Sequence, residues 1–173
     1  MASNEHLPSA TIADWGKDRK GIFTRSLLAS LRSYKYWKSR GTLGWLPSKI
    51  ALIHHYFWPV VTGCGLPITN KIGSGLLVPH PNGIFVHPSC TIGPNCLIFR
   101  QVTLRSNERS GANGVPAIGG NVEIGAGAKI LGRVSVSDHS VIGANCLVLN
   151  DVIKGAASVG IMARIILLTN DCL

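Results

Sequence analysis

The chain has 173 residues, enough for one domain with a buried core, and its many aliphatic and glycine residues exclude a disordered protein. The formal net charge of +9 is uneven: residues 1–64 carry nine Lys and Arg against three acidic residues, and residues 65–173 carry eight against five. A basic excess suits anionic ligands, membrane surfaces or nucleic acid. No nucleic-acid-binding motif accompanies it, so we expect no nucleic-acid partner.

Residues 1–64 are predicted to form a short N-terminal α-helical region. Helical patterning runs through residues 15–60, and a Gly- and Pro-containing break separates a first helix from a second over about 48–58. The second helix is apolar and is expected to be closed by Pro59. A membrane span needs about 20 apolar residues, so this stretch is interpreted as a buried helix.

A six-residue repeat dominates the rest of the chain. From residue 118 the hexads are IGGNVE, IGAGAK, ILGRVS, VSDHSV, IGANCL and VLNDVI, each beginning with Ile or Val. The same phase occurs upstream in VHPSCT, IGPNCL and IFRQVT, whereas IGSGLL and VPHPNG are two residues out of phase. An aliphatic residue at six consecutive sixth positions has odds on the order of one in several thousand, so chance is a poor explanation.

A period of six predicts a triangular coil of short parallel strands, with the first and fifth positions of each hexad pointing inward. Each flat side takes one hexad, and Gly or Asn at a corner accepts unusual backbone angles. We therefore expect a mainly β fold with a coil domain over residues 65–173. The Gly-, Ser- and charge-rich segment 105–117 breaks the repeat and is predicted to be a protruding loop.

The cysteines and the N-terminus predict a cytoplasmic protein. Five cysteines show no spacing typical of zinc ligands, and we interpret them as small buried residues in a reducing compartment: Cys64, Cys90, Cys96, Cys146 and Cys172. The first residues lack the basic-then-apolar order of a signal peptide.

The hexads resemble those of hexapeptide-repeat acyltransferases, and most of all the serine O-acetyltransferases. IGSGLLVPHPNG is similar to that family's catalytic coil, IFRQVTLRS to its entry into the loop, and IGAGAKILG to a later coil almost letter for letter. The resemblance covers about 65–166. It implies a left-handed parallel β-helix, a homotrimer, and acetyl-CoA as co-substrate without a metal.

The resemblance also implies site residues. It makes His80 the general base that deprotonates an acceptor hydroxyl, a role that suits an imidazole because its pKa lies near neutrality. Asp14 is a candidate for the acid that orients His80. Asn82, Arg105 and Arg109 are candidates for acceptor binding, although the two arginines are equally well explained as solvated loop charges. The expected acetyl-CoA surface consists of Ala126, Gly127, Lys129, Ala144 and Arg164.

Departures from the serine enzymes bear on the acceptor. The places of that family's carboxylate-binding arginine and second histidine fall on Gly114 and Val115, and its acidic positions fall on Pro79 and Gly65. PHPNG itself resembles a variant motif of acetyltransferases in polysaccharide biosynthesis. We therefore expect a carbohydrate hydroxyl as acceptor, with serine as the first alternative and a non-catalytic coil scaffold as the second.

Two other features of the sequence, the histidine spacing and the basic N-terminal region, have simpler interpretations. His80 and His87 lack a third histidine at a useful spacing, so no metal site is expected. The cations of residues 1–64 fit a solvated helix face, with peripheral proximity to an anionic membrane as the functional alternative. Neither the acceptor sugar nor the hydroxyl it offers follows from the sequence.

Overall fold

The computed structural model describes residues 9–12, 14, 22–107, 114–161 and 164–167. Two helices come first: α1 spans Ile22–Lys38, and α2 spans Trp45–Thr62 after a 3₁₀ turn at Gly41–Gly44. Leu27 and Leu28 of α1 belong to the same buried cluster as the coil interior. The helical head therefore closes one end of the coil.

Helix α2 differs from its prediction in two respects. Pro59 lies inside the helix, which continues to Thr62 and ends where Gly63 takes a left-handed φ of +64° and donates its N–H to the Pro59 carbonyl, 2.8 Å away. A proline lacks only its own donor, so a glycine that can reverse the chain decides the end. The helix is also not buried as a whole: its buried residues are Ala51, His55 and Thr62.

Thirteen short strands follow in the part of the chain that the structure describes. They are β1 Lys71–Ile72, β2 Phe85–Val86, β3 Thr91–Ile92, β4 Leu97–Ile98, β5 Thr103–Arg105, β6 Ala117–Ile118, β7 Glu123–Ile124, β8 Lys129–Leu131, β9 Ser135–Val136, β10 Val141–Ile142, β11 Leu147–Val148, β12 Ala156–Val159 and β13 Arg164–Leu167. Three parallel sheets result, in the orders β1-β3-β6-β9, β4-β7-β10-β12 and β2-β5-β8-β11, and β13 adds to the second sheet in the antiparallel direction. The predicted mainly β architecture is confirmed at this level.

The pairing shows that the hexad is the structural unit. Phe85 pairs with Thr103, and Lys129 pairs with Leu147, each eighteen positions further along, so one coil comprises three hexads. From residue 118 the first and fifth positions of every hexad are buried, at most 4% exposed, and these residues are Ile118, Val122, Ile124, Ala128, Ile130, Val134, Val136, Ser140, Ile142, Cys146, Val148 and Val152. Stacked aliphatic layers therefore hold the coil together, as predicted.

Two departures from this spacing locate inserted residues. Leu77 pairs with Leu97, twenty positions on, whereas Phe85 already pairs with Thr103 at eighteen. Two extra residues thus lie between Leu77 and Phe85, which explains the out-of-phase hexads. Thr103 pairs with Lys129, twenty-six positions on, so eight residues more than one coil lie between them. The predicted loop falls in this interval, and its residues 108–113 lie outside the described residues.

Candidate active site

One corner of the coil brings together most of the residues predicted from the sequence. Backbone N–H groups donate from each coil to the one before it: Gln101 to the Asn82 carbonyl at 3.0 Å, Gly127 to Arg100 at 2.9 Å, and Asn145 to Ala126 at 2.8 Å. We call this ladder the His80 corner, and its members are Asn82, Gly83, Arg100, Gln101, Ala126, Gly127, Ala144 and Asn145. Four predicted site residues, Asn82, Ala126, Gly127 and Ala144, therefore lie along one edge.

The two extra residues described above lie where the first coil passes through this corner. Gln101 aligns with Gly83 in the ladder, and Val78 is buried in the position that Ile98 takes one coil later, so the excess falls within Pro79–Pro81. His80 is the middle residue of this three-residue stretch. Its side chain is exposed, and it makes no hydrogen bond to any residue that the structure describes. Both ring nitrogens are therefore accessible to an incoming molecule.

The turns of the His80 corner share a left-handed backbone conformation. Gly83, Gln101, Gly127 and Asn145 all have positive φ, from +55° to +74°. At Gly127 a Cβ atom would lie 2.1 Å from Asn145 Oδ1, so a larger residue would have to displace the Asn145 side chain, and the φ of +74° also favours glycine. Strands stack about 4.8 Å apart, so an extended ligand about 15 Å long could follow this corner from Asn82 to Ala144. Lys129 begins the strand that leaves the corner and is exposed.

Asp14 lies on a different corner of the same chain. Its backbone N–H donates to Asn95 Oδ1 at 2.7 Å, and its carbonyl lies against Gly75. Asn95 Nδ2 also donates to the carbonyls of Ser9 and Ile12, at 2.6 and 2.5 Å. The structure thus shows Ser9, Ile12 and Asp14 bound at a second corner of the coil, which contains Gly75 and Asn95, and the pairing of Asp14 with His80 stays a prediction.

The predicted arginines are less closely tied to the site. Arg105 is exposed at the end of β5, where it pairs with Leu131 of β8. Arg109 lies outside the described residues. Arg164 lies in β13, opposite Val159 in the antiparallel pair.

The positions that depart from the serine enzymes are occupied by packing residues. Gly114 lies against the side chain of Arg133, since a Cβ at residue 114 would lie 2.5 Å from Arg133 Cβ. Val115 is half-buried and packs against the core. Neither position offers a charged or polar side chain to an acceptor.

A buried histidine, His55, links α2 to the first coil. His55 is 3% exposed, with Nδ1 3.0 Å from Ser30 Oγ and Nε2 3.0 Å from the Leu66 carbonyl. Burial lowers the pKa of His55, so the neutral ring donates from Nε2 to the Leu66 carbonyl. Nδ1 then shares the Ser30 hydroxyl proton with the Leu27 carbonyl, which lies 2.7 Å from Ser30 Oγ. Its burial makes this contact structural.

Burial keeps two of the cysteine thiols unreactive. Burial raises the pKa of Cys64 to about 12 and that of Cys90 to about 11, which keeps both thiols protonated and unreactive. In the described ranges, no three His, Cys, Asp or Glu side chains are grouped as metal ligands would be. Cys172 lies outside these ranges.

Comparisons with known proteins return serine acetyltransferases, although no family model matches the chain. The Helicobacter pylori enzyme is 37% identical over 106 residues, covering 61% of this chain and 62% of its own length. The enzyme of Synechococcus elongatus is 33% identical over 107 residues, covering 62% and 44%.

Solved structures give the same result over more of the chain. The soybean serine acetyltransferase apoenzyme matches with a TM-score of 0.73 at 28% identity, covering 92% of this chain and 69% of that one. A serine acetyltransferase in complex with CoA matches with a TM-score of 0.70 at 29% identity, covering 88% and 60%. These similarities support the resemblance to hexapeptide-repeat acyltransferases. The chain spans between 44% and 62% of the two curated relatives described above.

Proposed function

We propose that this protein is a cytoplasmic, acetyl-CoA-dependent O-acetyltransferase, built as a homotrimer of left-handed β-helices, with His80 as its general base. The observation that carries the proposal is the His80 corner: an exposed histidine in a two-residue insertion, followed along one edge by small residues. The similarity to acetyltransferases, one of them solved with CoA, supports the same reaction.

The chemistry needs one group that both accepts and returns a proton. His80 takes the proton of the acceptor hydroxyl as its oxygen attacks the thioester carbonyl. The tetrahedral intermediate then collapses, the C–S bond breaks, and His80 returns the proton to the CoA sulfur. The products are an acetyl ester and free CoA thiol, so the base is regenerated in each turnover. No covalent acyl-enzyme is required.

The corner suits the pantetheine arm of acetyl-CoA. Gly127 and its alanine neighbours let an extended chain approach the backbone closely, and amide groups at such turns can pair with pantetheine amides. Lys129 and Arg164 are the cations proposed for the CoA phosphates. His80 lies at the end of this edge, where the thioester would be placed.

Serine is the leading acceptor, because the relatives that match this chain are named serine acetyltransferases. The carbohydrate acceptor predicted from the sequence is not supported by these comparisons. One observation keeps a sugar hydroxyl as a second candidate: Gly114 and Val115 pack against Arg133 and the core, where the family resemblance expects an arginine and a histidine. A site without that arginine binds the carboxylate of a free amino acid more weakly.

Thiol release from acetyl-CoA, measured with serine, monosaccharides and oligosaccharides in parallel, tests both acceptors. Turnover with serine that disappears in His80→Ala supports the leading proposal. Turnover with sugars alone would replace serine by the second candidate. If acetyl-CoA does not bind at all in calorimetry, the chain is a coil scaffold and the enzymatic proposal is wrong.

A further inference from the structure

The outer face of α2 is apolar along its whole length. Large hydrophobic side chains recur there at helical spacing and are exposed: Trp45, Leu46, Ile50, Ile53, Tyr56, Phe57, Val60 and Val61. Ile53 is 72% exposed and Val60 is 84% exposed. Contiguous patches of this kind mark a surface that binds something. We call these eight residues the α2 face.

The α2 face is surrounded by positive charge. Lys49 is exposed on α2 itself, Lys38 lines a surface cavity together with Trp45, and the Arg40 guanidinium lies 4.5 Å from the ring centroid of Tyr36. No acidic residue occurs in the sequence between Asp18 and Glu108. A partner of this face must therefore bring negative charge as well as apolar volume.

We propose that the α2 face docks this protein onto a lipid bilayer that carries anionic headgroups. An interfacial helix combines an apolar face, aromatic residues at the headgroup level and flanking cations, and α2 has all three. The opposite side of α2 packs against α1 and the first coil through Ala51 and His55, so the helix lies along the surface on which it docks.

Charge argues for a bilayer over a second copy of the chain. Two α2 faces brought together would place Lys38, Arg40 and Lys49 opposite the same cations, with no carboxylate on either head between α1 and α2 to pair them. Anionic lipid headgroups supply that missing charge, at about 1 kcal/mol per cation near the surface. No helix among the described residues is long and apolar enough to cross a bilayer.

The site lies next to this surface. Gly63 ends α2, and a Cβ at that position would lie 3.3 Å from Asn82 Nδ2, so the C-terminal end of the α2 face adjoins the His80 corner. Docking would hold that corner close to the headgroups. The proposal does not depend on which acceptor the enzyme uses.

Flotation of the full-length protein with vesicles tests the proposal. We expect binding to vesicles of phosphatidylcholine with about one third phosphatidylglycerol, at least about tenfold tighter than to phosphatidylcholine alone, and release as NaCl rises from about 0.05 to 0.5 M. The double variant Ile53→Ser/Phe57→Ser should lower the partition coefficient at least about tenfold. Lys38→Gln/Arg40→Gln/Lys49→Gln should remove most of the preference for the anionic lipid.

A matched control removes exposed apolar side chains from the coil. Leu149→Ser/Ile153→Ser alters residues with 43% and 53% exposure, away from α2, and should bind vesicles like the unaltered chain. Circular dichroism checks that each variant is folded. Failure of the unaltered chain to float with anionic vesicles, or equal binding by Ile53→Ser/Phe57→Ser, overturns the proposal. A change of mass in light scattering for that variant, without vesicle binding, would assign the α2 face to a second copy.

Discussion

Two of the three corners of the coil share a backbone conformation and differ in what covers them. At the second corner the residues with positive φ are Gly75, Asn95, Asn121 and His139. The Asn95 side chain there binds the backbone of Ser9, Ile12 and Asp14. At the His80 corner the same conformation recurs, but an insertion projects outward and His80 is exposed. The turn itself is therefore only scaffolding, and the chemistry depends on what is added to it.

The largest expected effect follows from removing His80, the proposed general base. His80→Ala should lower kcat by about 10² to 10⁴, since general bases contribute that much, and should leave thermal unfolding unchanged because the side chain makes no hydrogen bond within the described residues. Steady-state thiol release measures the effect. His139→Asn alters the histidine at the second corner and should keep full activity. Equal losses of activity in both variants would contradict the assignment of the reaction to the His80 corner.

A smaller effect on activity is expected from adding a side chain at Gly127 in the His80 corner. Gly127→Ala places a Cβ 2.1 Å from Asn145 Oδ1 at a φ of +74°, so it should raise the KM for acetyl-CoA and lower the free energy of unfolding by about 1 to 3 kcal/mol. Gly155→Ala is the matched control, since its φ is +68° but nothing lies within 4 Å of the added atom. It should cost about 1 kcal/mol and leave KM unchanged.

The second corner is tested by releasing the segment bound there. Asn95→Gly keeps the left-handed conformation and removes three hydrogen bonds, to Ser9, Ile12 and Asp14. We therefore expect a loss of about 1 to 3 kcal/mol in unfolding free energy and faster amide exchange at these residues. Asn145→Gly, at the His80 corner, should have little effect on either measurement. If Asn95→Gly abolished acetyl transfer with the fold intact, Asp14 would have to act on His80.

The smallest expected effect is on the pH dependence of stability, through His55 of α2. Burial lowers the pKa of His55 below its usual 6.5, so the unfolded chain binds more protons than the folded one. Stability from this group is present above about pH 6.5 and is lost as the pH falls toward the lowered value. Denaturant unfolding between pH 7.5 and 5.5 should show a shallower decline in His55→Gln than in His54→Gln, its exposed neighbour.

The sequence was informative wherever stacking imposed a period. Ile118, Ile130 and Ile142 were predicted to point inward because each hexad repeats the same backbone path, and the structure confirms their burial. The phase shift before Phe85 likewise indicated an irregular coil at His80. In both cases the signal is local, since it lies in the spacing of neighbouring residues along the chain.

Other features depend on contacts that no spacing encodes. Ile53 and Phe57 are as apolar as any core residue, so their sequence could not say that they point away from α1. Nothing in Ser9 or Asp14 indicates that Asn95, more than eighty residues away, binds that segment. Packing of distant segments decided these features, and the prediction of α2 as a buried helix was wrong for this reason.

The insertion at Pro79–Pro81 has a practical consequence. Because every coil repeats the same corner, extra residues project from one step without shifting the layers above or below, as the return to eighteen-residue pairing at Phe85 shows. Successive coils are about 4.8 Å apart, so the same corner of any coil could carry a reactive segment of this kind. Moving the Pro-His-Pro segment to the same corner of the next coil would shift the histidine by about 4.8 Å. Such a shift offers a direct way to set the length of ligand that an enzyme of this kind accepts.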